Sequence, residues 1–535
     1  MLTEALIVLG RVLNFTLLSV FVGLCLVSPG LWVCDRFEKK LNPALRIPLL
    51  AATVGILGYV AFFAYWMSPL LGKVMSAVVI VASLGWGVPR LRRGLGDLGL
   101  PLLLVLVAPL FYNALNLKGE PRDSGALAAR EIGGFHMPHD NFLPFMLAEK
   151  LAHGEDARML DSDWHGSDRP PLQAGVFLLV RPLADLPGLH AMGYQVTGCL
   201  LQAFWILALF FLGRALGRTD GAIGTVFLIL LLSGFCYLNT IYVWPKLLAA
   251  SFFILGLSLW LFHATALPAL AGALVGLALL SHGGSAFPTL GLGVLMLRDF
   301  SWKRVLLFAA AAGALLMPWY LYKGLYDPPG NRLEKMHLAG TEPADSRSTG
   351  RAIIDAYSET PLHTIVEYKA RNLARLWNAK PFSIWVTGPL LSIREAQFFS
   401  LFHTLGILNI GLVLLLLGLG GREWRILGLL CGVTLALWIT LLFGPDGAVL
   451  HQGSYVLPLL VLIGSAFCLI DVLGRWAWVL VLGQGMIFFT VWSVFLPLSW
   501  FPGGAVWVTV STAALCGILH VVCGRSQKQS TFGRA

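Results

Sequence analysis

Uncharged apolar runs, most of them about 18 to 24 residues long, recur along this chain, and each of that length crosses a hydrocarbon core of about 30 Å as a helix. About fifteen are present, from 12–34 at one end to 504–523 at the other, with 285–297 the shortest. With 57% hydrophobic and 12% charged residues and a mean hydropathy of +0.76, an ordinary soluble domain is excluded. The sequence predicts an all-α polytopic membrane protein.

Lys and Arg in short loops resist translocation and so report orientation. One set of loops carries Arg36, Lys39, Lys40 and Arg46; Arg90, Arg92 and Arg93; Arg214 and Arg218; Arg298, Lys303 and Arg304; Arg422 and Arg425; Arg475; and Arg525, Lys528 and Arg534. The alternate loops near 68–70, 239–245, 282–284, 444–451 and 496–503 carry almost none. Fifteen spans then leave the N-terminus and two long polar loops outside and the C-terminus in the cytoplasm. The net charge of +10 is accordingly a topology signal and not a sign of nucleic-acid binding. The chain divides into N-terminal spans (1–117), a first external loop (118–190), central spans (191–322), a second external loop (323–397), C-terminal spans (398–524) and a tail (525–535). The eight cysteines lie in or beside predicted spans without metal-ligand spacing, which argues against disulfides and a zinc site.

The apolar runs hold no Asp or Glu near a predicted midplane. Ion-coupled carriers usually keep such costly groups there. The carboxylates sit instead in the polar segment from Lys118 to Arg169. It contains His136-Met-Pro-His139-Asp140-Asn-Phe142, then Glu149, Asp161 and Asp163, and closes with Ser167-Asp-Arg169-Pro-Pro-Leu172. Phe142, Phe145, Met146, Leu147 and Leu151 suggest a short amphipathic helix at the membrane interface. Pro170-Pro171 restarts an apolar helix through about Leu183, where Arg181 makes a poor full span. In the second loop, Asp327-Pro-Pro-Gly and Thr341 to Gly350 read as flexible, and a helix is predicted from about Pro361 to Trp377.

The stretch from Asp140 to Gly154, with Arg169-Pro-Pro-Leu172 following 29 residues after Asp140, resembles the first external loop of GT-C glycosyltransferases. It is most similar to the branch of bacterial aminoarabinose transferases of lipid A and protein O-mannosyltransferases. The resemblance covers about 50 residues well and the remaining helices only in plan. Asn141 stands where that family often has a second acidic residue, and three extra spans precede the helix that would ordinarily be first.

Such a resemblance implies a GT-C-like bundle that moves a sugar from a polyprenyl-phosphate donor to an envelope glycan, lipid or protein acceptor. No cofactor is expected; His136 and His139 beside Asp140 suggest a divalent metal, which the absence of an adjacent second carboxylate disfavours. The external position of the loop removes nucleotide sugars as donors. Attack at the anomeric carbon needs a base for the acceptor proton, and Asp140 is the candidate. The leaving lipid phosphate needs fixed cations or donors, for which Arg169, Lys246, Lys323 and His451 qualify from outer helix ends. His139, Glu149, Asp161, Asp163 and His282 form a reserve for acceptor binding or a secondary role. The plainer readings are an N-cap for Asp140, interfacial anchoring for Arg169, snorkelling for Lys246 and Lys323, and packing for His282. Two other functions compete: an O-antigen polymerase or ligase using a polyprenyl-diphosphate glycan, and a flippase or transporter of lipid-linked glycans.

Overall fold

The computed structural model describes residues 2–37, 42–92, 95–116, 137–161, 163–185, 190–262, 267–298, 300–328, 330–342 and 345–493. Most of them are helical. A two-stranded antiparallel ribbon, Met159–Asp161 with Trp164–His165, is the sole sheet among the described residues.

Eight helices among the described residues are long and apolar enough to cross a membrane, or up to ten when two bent pairs are each taken as one span. The predicted count of fifteen exceeds this for physical reasons visible in the backbone. The run at 220–238 folds as Asp220–Leu231 and Gly234–Ile241, bent by 72°. Ser233 makes the break, because its hydroxyl accepts from the Cys236 amide at 3.2 Å and starts a new helix. The run at 398–419 bends by 109° at Ser400, which is extended. Lys246–Phe262, Pro268–Ser281 and Gly283–Leu297 are apolar but shorter than a full crossing. Val456–Trp492 counts as one candidate of 37 residues, yet an unbroken helix of that length would reach about 55 Å. A 3-10 turn at Gly474–Trp476 divides it, with Gly474 at φ 52°. The predicted run 504–523, the tail and His136 lie outside the described residues.

His190–Gln202, Trp205–Ala215, Asp220–Leu231 and Lys246–Phe262 form the centre, where Trp205, Phe210, Phe227 and Phe253 are fully buried. The peripheral helices Pro69–Arg92, Trp302–Tyr326 and Gly421–Leu441 instead expose Leu70, Val81, Leu325 and Leu429. A belt of large apolar side chains around a closed core is the arrangement a bilayer solvates.

Small residues set the closest helix crossings. A Cβ on Gly175 of Leu172–Ala184 would strike the Gly58 carbonyl oxygen of Arg46–Met67, and one on Gly58 would strike Val176. A Cβ on Gly272 would likewise meet the backbone of Phe308.

Charged side chains from separate loops meet at one end of the bundle. Arg46 donates to Asp97 at 3.0 Å, Arg214 donates to the Asp97 carbonyl at 3.2 Å, and Arg90 donates to Asp35 at 2.5 Å. Arg218 and Asp471 form a two-pronged pair at 2.6 and 2.7 Å. The helix Arg46–Met67 starts at this end and finishes near the chain that follows Asp140. The polar segments carrying the candidate residues are therefore at the opposite end.

Candidate functional site

Asp140 lies in a 3-10 turn, His139–Asn141, ahead of the helix Leu143–His153. That helix has Phe142 at its N-cap and no side-chain cap, so Asp140 is not spent on capping. Its apolar face, Leu143, Leu147 and Leu151, is buried. Phe145 packs on Phe177 and Tyr194, so the expected interfacial helix is seated on protein.

A buried polar chain holds the turn. Tyr194 donates to the Asn141 carbonyl at 2.7 Å, Gln173 donates to Tyr194 at 2.9 Å, and Gln202 donates to Gln173 at 2.9 Å. Tyr242 donates to the Pro138 carbonyl. Gln173 also donates to the Val243 carbonyl at 2.6 Å. Val243 has φ 52°, a left-handed conformation that a β-branched residue adopts only under constraint. Gly198 leaves room for its side chain, since a Cβ there would meet Val243 at 2.7 Å. This strained residue turns the chain from Gly234–Ile241 into Lys246–Phe262.

Arg169 is 7% exposed, and its Nη2 lies 3.0 Å from Asp140 Oδ2. The contact is off the line of a hydrogen bond: Nη2 and Nε have no hydrogen-bond partner among the described residues. The guanidinium packs on Trp164 at 4.4 Å from the ring centre. Lys246 is 1% exposed, with its ammonium 3.6 Å from the centre of the Trp244 ring and 5.4 Å from that of Tyr455. It interacts electrostatically with Asp140 and Arg169. Arg169 is thus paired with Asp140, while Lys246 lies near both without an ion pair among the described residues; burial of charged groups in this way is penalised.

Three histidines lie within electrostatic reach of Lys246. The His282 ring meets Trp244 edge to face, and its Nδ1 accepts from the Gly284 amide at 3.0 Å. His451 stacks on Phe398 and abuts Phe399, and its Nδ1 is buried with no hydrogen-bond partner among the described residues. Burial first, then Lys246 and His337, push His451 down to about 3. His337, on the helix Arg332–Ala339, is pushed to about 4 by burial and then by Lys246 and Arg169. Asp140, Arg169, Lys246, His282 and His451 are therefore gathered, together with His337, which the sequence did not single out.

Of the remaining candidates, Glu149, Lys323 and Asp163 are engaged elsewhere. Glu149 accepts from Arg181 at 3.0 and 3.1 Å and lies 2.8 Å from His190. Burial raises its carboxyl, but Arg181 and His190 outweigh that and hold it below the ordinary value. Arg181 thereby explains its own presence in an apolar run. Lys323 pairs with Glu334 at 2.9 Å. Asp161 is exposed, and Asp163, 59% exposed, reaches Arg332 at 3.4 Å. The side chain of His139 is outside the described residues.

The second loop closes on the motif that carries Arg169. Asp327, 6% exposed, accepts from Ser167 at 2.5 Å, and His165 Nδ1 lies 3.0 Å from its other oxygen. Arg332 reaches Asp168 at 3.4 Å and donates to the Asp163 carbonyl. Burial raises the carboxyl of Asp168. Asp327-Pro-Pro-Gly, expected to be flexible, is thus a fixed junction at its first residue. The helix Arg332–Ala339 escaped notice because an eight-residue, half-polar segment gives no hydropathy signal.

No family model, no curated protein and no solved structure matches this chain.

Proposed function

We propose that this protein is an integral membrane glycosyltransferase of GT-C-like plan, with Asp140 as its base. It takes a sugar from a polyprenyl-phosphate donor and passes it to an envelope glycan, lipid or protein acceptor. In this reading the protein lies in the inner membrane, with the N-terminus and the site outside, the C-terminus in the cytoplasm and up to about fifteen helical passes.

The observation that supports this reading most is the ion pair of Asp140 with the buried Arg169, with the buried Lys246 close by. Arg169 retains buried donors without hydrogen bonds among the described residues, and the Lys246 ammonium packs on the rings of Trp244 and Tyr455. Buried donors left in this state are satisfied by an incoming anion, and a phosphate ester of a membrane lipid brings one. In the reaction, Asp140 accepts the proton of the acceptor hydroxyl. That oxygen bonds to the anomeric carbon, and the bond from that carbon to the phosphate oxygen breaks. The electron pair leaves with the lipid phosphate, whose charge Arg169 and Lys246 offset.

The test is transfer of radiolabelled sugar from a polyprenyl-phosphate donor to membrane acceptors by the full-length protein in proteoliposomes. Asp140→Asn should lower transfer by a factor of about 10² to 10⁴, with the protein still folded by its thermal midpoint. Full activity of Asp140→Asn removes the base assignment. Consumption of a polyprenyl-diphosphate glycan alone supports the polymerase or ligase class. Lipid movement across the bilayer without donor consumption supports a transporter.

A further inference from the structure

The second polar loop contains a helix with an apolar stripe that the protein leaves uncovered. Leu362–Trp377 buries Leu376 and Asn372, each 0% exposed. Leu362, Val366, Leu373 and Trp377 are 75%, 60%, 47% and 37% exposed. At 100° per residue these four fall within about 60° of arc on one side of the helix. Glu367, Arg371 and Arg375 occupy a separate sector. The chain that follows prolongs the stripe with Phe382, Val386 and Leu391, at 59%, 83% and 43% exposed.

The depth of this helix is fixed by bonds to the end of a candidate span. Asn372 donates to the Leu442 carbonyl at 3.0 Å, and Lys369 donates to the same carbonyl at 2.7 Å. Leu442 directly follows the apolar helix Gly421–Leu441. Tyr357, on the helix Thr349–Glu359, donates to the Thr440 carbonyl at 3.2 Å. A helix tied through Asn372 and Lys369, beside a neighbour tied through Tyr357, to the end of a candidate membrane span lies at the level where hydrocarbon meets headgroups.

We propose that Leu362–Trp377, with the apolar residues through Leu391, is an interfacial membrane-binding element whose occupant is the bilayer itself, with Leu362, Val366, Leu373 and Trp377 inserted among the lipids. An amphipathic stripe of this kind with a Trp at its end is the form such elements take. Asn372 also accepts from the Ala448 amide at 3.1 Å, so the same helix holds the turn that leads to His451. The inference stands whether or not the protein transfers sugar.

Spin labels on Val366→Cys, Leu373→Cys, His363→Cys and Glu367→Cys in full-length protein in lipid nanodiscs test it, with labelled protein lacking these changes as the background. The native cysteines among the described residues are buried or half-buried. Collision with oxygen relative to a water-soluble nickel chelate should rise several-fold at Val366 and Leu373 over His363 and Glu367. Equal, water-like ratios at all four positions overturn the proposal. Shielding of Val366 and Leu373 from both reagents also overturns it, because a protein surface such as a second copy would then cover the stripe.

Discussion

At the residue scale, the histidines give the site a signed pH dependence. His337 and His451 titrate near 4 and 3 in the folded protein, against about 6.5 in an unfolded chain. Each is depressed, so between these values the unfolded state binds more protons than the folded one. Stability is then unaffected above about pH 6.5 and falls as the pH drops through the window below it. The thermal midpoint of the purified protein should be lower at pH 5 than at pH 7.5, and His451→Gln should flatten that dependence. The variant's absolute midpoint also drops, because stacking on Phe398 and the edge contact with Phe399 are lost, so the slope is the informative quantity. Parallel slopes would remove His451 from the titrating set. The sequence made part of this centre legible: Asp140 and Arg169 stand in a motif, and Lys246, His282 and His451 sit at outer helix ends. It could not reveal that Val243 is left-handed or that Gly198 makes space for it, since φ is imposed by packing between distant segments.

At the scale of elements, hydropathy located the helices well and their breaks poorly. The bends at Ser233 and Ser400 occur inside apolar runs, where one hydroxyl cap or one extended residue outweighs uniform composition. The junction of Asp327 with His165 and Ser167 joins polar residues 160 or more positions apart, and no local pattern records it. Glycine crossings are equally invisible in a sequence holding 58 glycines, yet they separate sharply in the fold. Gly175→Val would drive side-chain atoms into the Gly58 backbone and should prevent the protein from accumulating in membranes. Gly313→Ala, on an exposed face of Trp302–Tyr326 with nothing within 4 Å, should instead stabilise by about 0.5–1 kcal/mol. Quantitative immunoblots of membrane fractions and thermal midpoints check the pair. Normal accumulation of Gly175→Val would mean that these helices do not cross so closely.

For the whole molecule, two separate observations converge on one polarity. The ion pairs Arg46–Asp97, Arg90–Asp35 and Arg218–Asp471 cluster at the end of the bundle that carries the basic short loops. The site lies at the other end, on segments poor in Lys and Arg apart from the two long loops. Basic short loops stay cytoplasmic, so the proposed orientation puts Asp140 and Arg169 outside, where a lipid-borne sugar reaches them and a nucleotide sugar does not. Donor class and topology therefore stand or fall together. Ser346→Cys, on an exposed part of the second loop, and Glu423→Cys, at the start of Gly421–Leu441, report the two ends. A membrane-impermeant maleimide should label Ser346→Cys in intact cells and Glu423→Cys only after lysis, with the protein lacking both changes as the background. The reverse pattern would put the site in the cytoplasm and restore nucleotide sugars as donors. It would also leave the basic end of the bundle outside, against the charge rule.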